Sequence, residues 1–326
     1  MPRISIVTPS YNQAAFLEMT IRSVLEQNYS DLEYIIIDGG STDGSIEIIK
    51  KYSDRLAWWV SESDAGQADA INKGFRRATG EVIAWLNSDD LYAPGAIAQA
   101  VAVMEKNPDL GMVYGNAVTF DQDGFPLNDL IFDDWGLDGL LAFNVICQPA
   151  VFMRRAVLEK AGYLDTSYQF LLDHELWIRM ARTASIRHVP ELWAFARHHA
   201  EAKNVAQAAG FGHEAYRILD WAQHQPDLSA LIETKPKPIW SAAHRFNARY
   251  LLDGGNARAA IKAYGRSLIV HPATAIKEWH RMLFAILSAL GLGSLGNLYY
   301  RAKRLQLPSA LSELGIDNID QLYNVD

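Results

Sequence analysis

Asn87-Ser88-Asp89-Asp90 sets two adjacent carboxylates just past the apolar run Val82-Ile83-Ala84-Trp85-Leu86. Two like charges at the end of a buried strand repel, so something positive should compensate them. A hard divalent cation, Mg²⁺ or Mn²⁺, held by one or two carboxylates and completed by substrate phosphates, would do so. The competing reading is that Asp89 and Asp90 cap a helix beginning near Pro94. A second acidic turn, Asp38-Gly39-Gly40-Ser41-Thr42-Asp43-Gly44, follows the run Tyr34-Ile35-Ile36-Ile37. Asp38 stands where it could accept an N–H from a nucleobase, and its glycines also suit a plain tight turn. Tyr11, in Thr8-Pro9-Ser10-Tyr11-Asn12, offers a flat surface to such a base, or simply packs at a rim.

These turns need strands behind them. Short apolar runs over 3–8, 32–38, 56–61, 81–87 and 111–115 alternate with helical patterns near 14–27, 44–53, 65–78 and 94–106. Strand and helix in alternation predict an α/β fold, a mostly parallel Rossmann-like sheet with helices on both faces. The unbroken apolar character of the second and fourth runs fits strands buried on both sides. In open sheets of this kind ligands bind outside the carboxyl ends of the strands, and the polar turns sit there. Beyond 116 the pattern is mixed, with helices expected over 155–161 and 173–183 and a last strand pair over 186–199. Asp173 is placed at the N-cap of the second of these helices, with Leu176, Trp177 and Met180 as its apolar stripe.

From about 205 onward the pattern is helical, so the expected organisation is a catalytic domain over 1–204 and a helical extension over 205–326. The stretch 231–239 reads as a linker inside that extension, and 241–270 as a helical hairpin. The 326-residue chain carries a net charge of −8, unevenly spread. Residues 1–199 hold 16 Lys+Arg against 27 Asp+Glu, whereas 256–305 hold eight basic residues and one acid, Glu278. The acidic part suits a bound cation and argues against nucleic acid. The basic part, with Trp279, Leu283, Phe284, Leu287 and Leu290 on one helical face, fits either peripheral contact with an anionic membrane or docking on the catalytic domain or a second subunit, as in a homo-oligomer. Residues 282–300 carry no charge, but their three glycines favour an interfacial or buried helix over a span. One cysteine, Cys147, permits no internal disulfide, and the N-terminus shows no leader pattern, so a cytoplasmic location is expected, with the inner membrane face as the place of any peripheral contact.

Taken together, Ile6-Val7-Thr8-Pro9-Ser10-Tyr11-Asn12, Asp38 to Gly44, Gly66-Gln67-Ala68-Asp69-Ala70-Ile71-Asn72-Lys73-Gly74, Asn87 to Asp90, Gln148-Pro149-Ala150-Val151-Phe152 and Leu172-Asp173-His174-Glu175-Leu176-Trp177 resemble a family 2 glycosyltransferase of GT-A fold over about residues 2–200. The resemblance implies an inverting transfer of a sugar from a nucleotide-sugar donor to the hydroxyl of a glycan or lipid-linked acceptor, in cell-envelope or exopolysaccharide synthesis. It implies Asp90 as the main metal ligand and His199, in Arg197-His198-His199, as a late one, with His198 competing for that role. Asp89 falls near the donor ribose, Asp38 and Tyr11 at the base, and Thr8, Asp69 and Asn87 among the donor contacts. Asp173 matches the general base; its apolar approach Phe170-Leu171-Leu172 favours a raised pKa. Gln148 is expected toward the acceptor, and Glu175 either there or in a supporting role. Gly39 departs from the two consecutive aspartates many members carry there, and Ser88 leaves one direct carboxylate in the metal motif. A Rossmann oxidoreductase is disfavoured by the missing GxGxxG. A non-catalytic nucleotide-sugar-binding or scaffold protein on the same fold is the alternative.

Overall fold

The computed structural model describes residues 1–199, 207–292 and 316–323. By contact the chain forms two units, one of Met1–Gly136, Ile146–His198 and Leu307–Asp326, the other of Leu137–Val145 and His199–Gln306.

The first unit is built on one sheet. Its strands are β1 (Ile4–Ser10), β2 (Leu32–Asp38), β3 (Trp58–Ser61), β4 (Val82–Trp85), β5 (Leu91–Tyr92), β6 (Leu110–Asp121), β7 (Pro126–Leu130), β8 (Val151–Arg154) and β9 (Ser185–His198). Their order is β3-β2-β1-β4-β8-β6-β9-β5, with β7 paired to β6. Parallel ladders join β1 to β2 and β4, β2 to β3, and β6 to β9. Shorter antiparallel ladders join β8 to β4 and β6, β9 to β5, and β7 to β6. The fold is thus mostly parallel α/β of GT-A type, and the strand order reverses direction between β1 and β4, the place where such sheets open a crevice.

Alternate residues of β1 face opposite helical layers. Ile4 and Ile6 pack with Leu17, Ile21 and Val24 of α1 (Ala14–Leu25). After α2 (Ser45–Lys51), α3 (Gln67–Arg77) covers the other face, where Gly74 lets it approach Val7 so closely that an added Cβ would lie 2.3 Å from Val7 Cγ1. On the α1 side α4 (Ala96–Lys106) contributes Ile97, Val101 and Met104. After α5 (Gly136–Leu141) and α6 (Arg155–Ala161) comes α7 (Leu172–Thr183). There Trp177 stacks on Trp85 of β4 at 5.2 Å, and Phe75 of α3 meets the same indole edge-on at 5.7 Å. Burying one side chain of this size contributes about 1.5–3 kcal/mol. Trp85 is therefore a core residue.

In the second unit, α8 (Ala208–Gln223), α9 (Pro226–Thr234), α10 (Pro236–Asp253), α11 (Ala257–Val270), α12 (Pro272–Ala275) and α13 (Trp279–Ala289) follow one another. Glu278, buried just before α13, pairs with Arg249 and accepts from Tyr264 Oη at 3.0 Å.

Four expectations are corrected. The stretch 231–239 is no linker, because Pro236 starts α10 as Pro226 starts α9, in the first-turn position where a missing N–H costs nothing. The expected pair over 186–199 is one strand, Ser185–His198; Pro190 sits where β9 advances four residues against two of β6, a bulge that mimics a turn in the sequence. The run at 111–115 is the start of a strand reaching Asp121. Asp173 is not the N-cap of α7, which is Leu171; buried Leu171 and Leu172 draw the helix start forward and leave Asp173 in the first turn. Of the uncharged stretch 282–300, the part after 292 lies outside the described residues, as do Arg301, Lys303 and Arg304 and the boundary 200–206. Among the described residues no helix is long and apolar enough to cross a membrane.

Candidate active site

Strands β1, β2 and β4 end side by side, Ser10 opposite Asp38 and Val7 opposite Trp85, so the three polar turns that follow them are neighbours. At the last of these, Asp90 is almost fully buried. Its Oδ1 accepts the Arg197 N–H at 3.0 Å, and its Oδ2 accepts Asn87 Nδ2 at 3.2 Å. Asn87 is itself held: Gln67 Nε2 donates to its Oδ1 at 2.8 Å, and its Nδ2 also reaches Gln148 Oε1 at 3.1 Å. Gln148 Nε2 donates to the Trp85 carbonyl at 2.7 Å. A chain of amides from α3 and the segment before β8 thus orients one carboxylate. Burial first, and the Asp89 charge second, push the Asp90 carboxyl well above the usual carboxylate range, against the Arg197 N–H and the Asn87 amide. A carboxylate so placed is relieved by a cation. Among the described residues no three His, Cys, Asp or Glu side chains gather into a preformed metal cage. The oxygen donor of Asp90 is of the kind a hard ion takes, with substrate and water oxygens completing its shell.

Asp173 lies in the first turn of α7, its Oδ1 accepting the His174 N–H at 2.7 Å. The stack of Trp177 on Trp85 ties that helix to β4, the strand that leads into Asp90. Cys147, the residue before Gln148, reports on both acids: burial, then Asp90, then Asp173 push its thiol well above the ordinary value. Both acids thus act electrostatically on the same thiol.

At the β1 and β2 ends the side chains divide into working and supporting groups. Tyr11 is 62% exposed, and its ring stands over Gly39. A Cβ on Gly39 would lie 2.7 Å from Asp64 Oδ2 and 3.3 Å from Tyr11 Cδ2, so the absent side chain leaves room for Asp64, whose Oδ1 accepts the Gly66 N–H at 2.8 Å. Asp38, expected against the nucleobase, is 0% exposed and saturated. It accepts from Gly40 N, Ser41 N, Ser41 Oγ and Ser61 Oγ at 2.5–3.0 Å, and so shapes the turn. Thr8 is likewise enclosed, its Oγ1 3.0 Å from Tyr34 Oη, which leaves only its main chain for a ligand. Asp69 accepts the Ala65 N–H at 3.2 Å and pairs with Lys73 at 3.6 Å, holding the start of α3. Glu175, expected toward the acceptor or in a supporting role, is buried and forms a two-pronged bond with Arg179, both contacts 2.7 Å. Arg179 also donates to the carbonyls of Ala161, Gly162 and Tyr163, pinning the chain between α6 and α7. Asp89 offers its carbonyl to Arg197 Nε at 3.2 Å, and His199 is buried at the opening of the second unit. Gln67, Asp64 and Arg197 were not singled out by sequence reasoning. Gln67 shares a motif with Asp69, Arg197 was noted only as the start of a metal motif, and Asp64 had no local signal.

A mostly parallel α/β sheet with an acidic turn at the carboxyl end of β4 defines the glycosyltransferases of GT-A type. The chain belongs to glycosyl transferase family 2, whose pattern it matches over residues 5–160. It is 30% identical over 220 residues to an uncharacterized glycosyltransferase of Nostoc sp., covering 64% of this chain and 68% of that one. It is 31% identical over 186 residues to a PGL/p-HBAD biosynthesis glycosyltransferase of Mycobacterium tuberculosis, covering 55% and 69%. In fold it is similar to the mannosyltransferase PcManGT of Pyrobaculum calidifontis, solved with GDP-Man and Mn²⁺, with a TM-score of 0.60 and 20% identity over 90% of this chain and 87% of that one. It is also similar to S. aureus TarS 1-349 in complex with UDP-GlcNAc, with a TM-score of 0.56 and 14% identity over 93% and 92%. The chain is a transferase of this family, and its mycobacterial relative is named for PGL/p-HBAD biosynthesis.

Proposed function

We propose that this protein transfers a sugar from a nucleotide-diphosphate donor to an acceptor hydroxyl with inversion, Asp173 acting as general base and Asp90 holding a divalent cation. The observation that carries this is Asp90 itself, a buried carboxylate just past the carboxyl end of β4 that two N–H donors orient and that burial and the Asp89 charge push above its usual range. That PcManGT holds GDP-Man with Mn²⁺ and TarS holds UDP-GlcNAc supports the same donor class here. When bound, the cation neutralises the leaving diphosphate. Tyr11 stacks on the donor base, and Asp64, at the site vacated by a side chain at Gly39, accepts an N–H from its edge. Asp89 lies toward the ribose. Asp173 takes the acceptor proton as the acceptor oxygen bonds the anomeric carbon and the bond to the diphosphate breaks, the electron pair leaving with the phosphate. Asn87, Gln148 and Gln67 keep Asp90 oriented, and His199 is a late metal ligand.

The test is a split between binding and chemistry in Asp173→Asn. Transfer should fall by about 10²- to 10⁴-fold while nucleotide binding stays within about threefold. Loss of both together would make Asp173 a structural residue.

The acceptor is a glycan or lipid-linked glycan, and the second unit carries the contact with the membrane that a lipid-linked acceptor requires. On α13 Trp279, Leu283 and Ile286, continued by Leu290, form an exposed stripe at helical spacing, Trp279 being 61% and Leu290 69% exposed. On α11 Arg258, Lys262 and Arg266 are exposed at four-residue spacing. Apolar and basic stripes of this kind suit the surface of an anionic bilayer. Flotation with anionic vesicles should be lost in the double variant Leu283→Glu, Ile286→Glu; equal flotation of variant and wild type would contradict the contact.

A further inference from the structure

The guanidinium of Arg197 is the most enclosed cation beside the acidic turn, and its surroundings lead to the far end of the chain. Its side chain is 1% exposed, with its guanidinium carbon over the rings of Phe16 and Phe120 at 4.8 and 4.3 Å. Its Nη1 donates to the Gln122 carbonyl at 3.1 Å and its Nε to the Asp89 carbonyl at 3.2 Å, while its own main-chain N–H holds Asp90. The remaining nitrogen, Nη2, donates to Met19 Sδ at 3.4 Å and to Asp320 Oδ1 at 3.5 Å. Burial pulls the guanidinium below its ordinary value, and Asp320 is the carboxylate that counters this most.

Asp320 belongs to a short segment laid back on the first unit. Ile319 and Tyr323 are buried in a cluster with Leu91, Val118, Phe120 and Phe195. Ile319 N donates to the Gly124 carbonyl at 2.9 Å, and Asn318 Nδ2 donates to the Asp123 carbonyl at 2.9 Å. Gly124 has no side chain where Asn318 Oδ1 and Asp320 pass, since a Cβ there would lie 2.3 and 2.7 Å from their atoms. Tyr323 Oη donates to the Tyr92 carbonyl at 2.9 Å. Tyr92 comes two residues after Asp90, and Arg197 binds both Asp89 and Asp90. The segment thus grips the acidic turn from its two flanks, the β5 side and the β9 side.

We propose that the segment Ile316–Tyr323 is a positioning element of the metal site, with Asp320 acting through Arg197 to hold Asp89 and Asp90 in the geometry that binds the cation. Groups that orient a metal ligand from behind typically set metal affinity by about 10- to 100-fold. A buried guanidinium with its counter-charge removed would shift, and the Asp89 carbonyl and the Asp90 carboxylate would shift with it. The inference rests on the metal reading of Asp90 given above.

The test uses the full chain and reads binding, not turnover. UDP and GDP are each titrated calorimetrically into wild type, Asp320→Asn, Asp320→Glu and Tyr323→Phe, with Mn²⁺ and again with EDTA, beside a thermal melt of each protein. In Asp320→Asn the Mn²⁺-dependent affinity should fall by about tenfold or more while the affinity in EDTA is unchanged, and Asp320→Glu should recover most of the loss. Should Asp320→Asn fail to fold, Tyr323→Phe, which deletes one hydroxyl and keeps the ring, should show the same Mn²⁺-specific loss to a smaller degree. A lower melting temperature with Mn²⁺-dependent affinity kept within twofold would make the segment a mere clasp and overturn the proposal. Wild type binding no better with Mn²⁺ than with EDTA would overturn the metal reading itself, and this inference with it.

Discussion

Among single residues, chemistry and support divide by how many bonds each acid already makes. Asp38 receives four donors from its own turn and Ser61, so it has the character of a structural acid despite its place at a strand tip. Asp90 receives two, remains buried, and is left with a carboxyl driven upward by burial and by Asp89. A sequence displays both as an acid after an apolar run, and only the count of partners separates them. Cys147 turns this electrostatic picture into a measurement. Burial and the two acids disfavour its thiolate, so its pKa is raised and alkylation at pH 8 should be slow. Removing either negative charge lowers that pKa. Asp90→Asn and Asp173→Asn should therefore each speed iodoacetamide labelling of Cys147, by roughly two- to tenfold at fixed pH. If only one of them did, the other acid would not face this point.

At the scale of elements, the carboxyl ends of β1, β2 and β4 were legible because buried parallel strands are written as unbroken apolar runs and end in polar turns. What periodicity could not supply was β9 as a single strand, since Pro190 and the bulge around it interrupt the ladder locally while β6 continues to pair on both sides. Nor could it distinguish a proline that breaks a helix from one that opens it, as Pro236 does. Helix α7 shows the same limit at Glu175. Its two-residue spacing from Asp173 pointed it elsewhere on the helix and left a supporting or an acceptor-facing role open, and the side chain closes on Arg179 four residues later, a pairing natural to one helix face. Glu175→Gln should accordingly cost about 3 kcal/mol of stability, read as a lower denaturant midpoint, with nucleotide binding unaltered. A variant of normal stability and impaired transfer would restore the acceptor role.

For the molecule as a whole, the sequence divides by charge and pattern near residue 200, and the contacts part after His198. The return of the chain end to the first unit was hidden, because Ile316 to Tyr323 carries no periodic signal and gains its meaning from a buried arginine far away in sequence. The central claim is that a cation bound at Asp90 carries the diphosphate of the donor. Its most direct test is calorimetric titration of UDP and GDP into wild type and Asp90→Asn, with Mn²⁺ and with EDTA. Wild type should bind one nucleotide at least about tenfold tighter with Mn²⁺, a gain of ~1.4 kcal/mol, and Asp90→Asn should lose that gain. An Asp90→Asn protein that kept the full Mn²⁺ gain would contradict the claim.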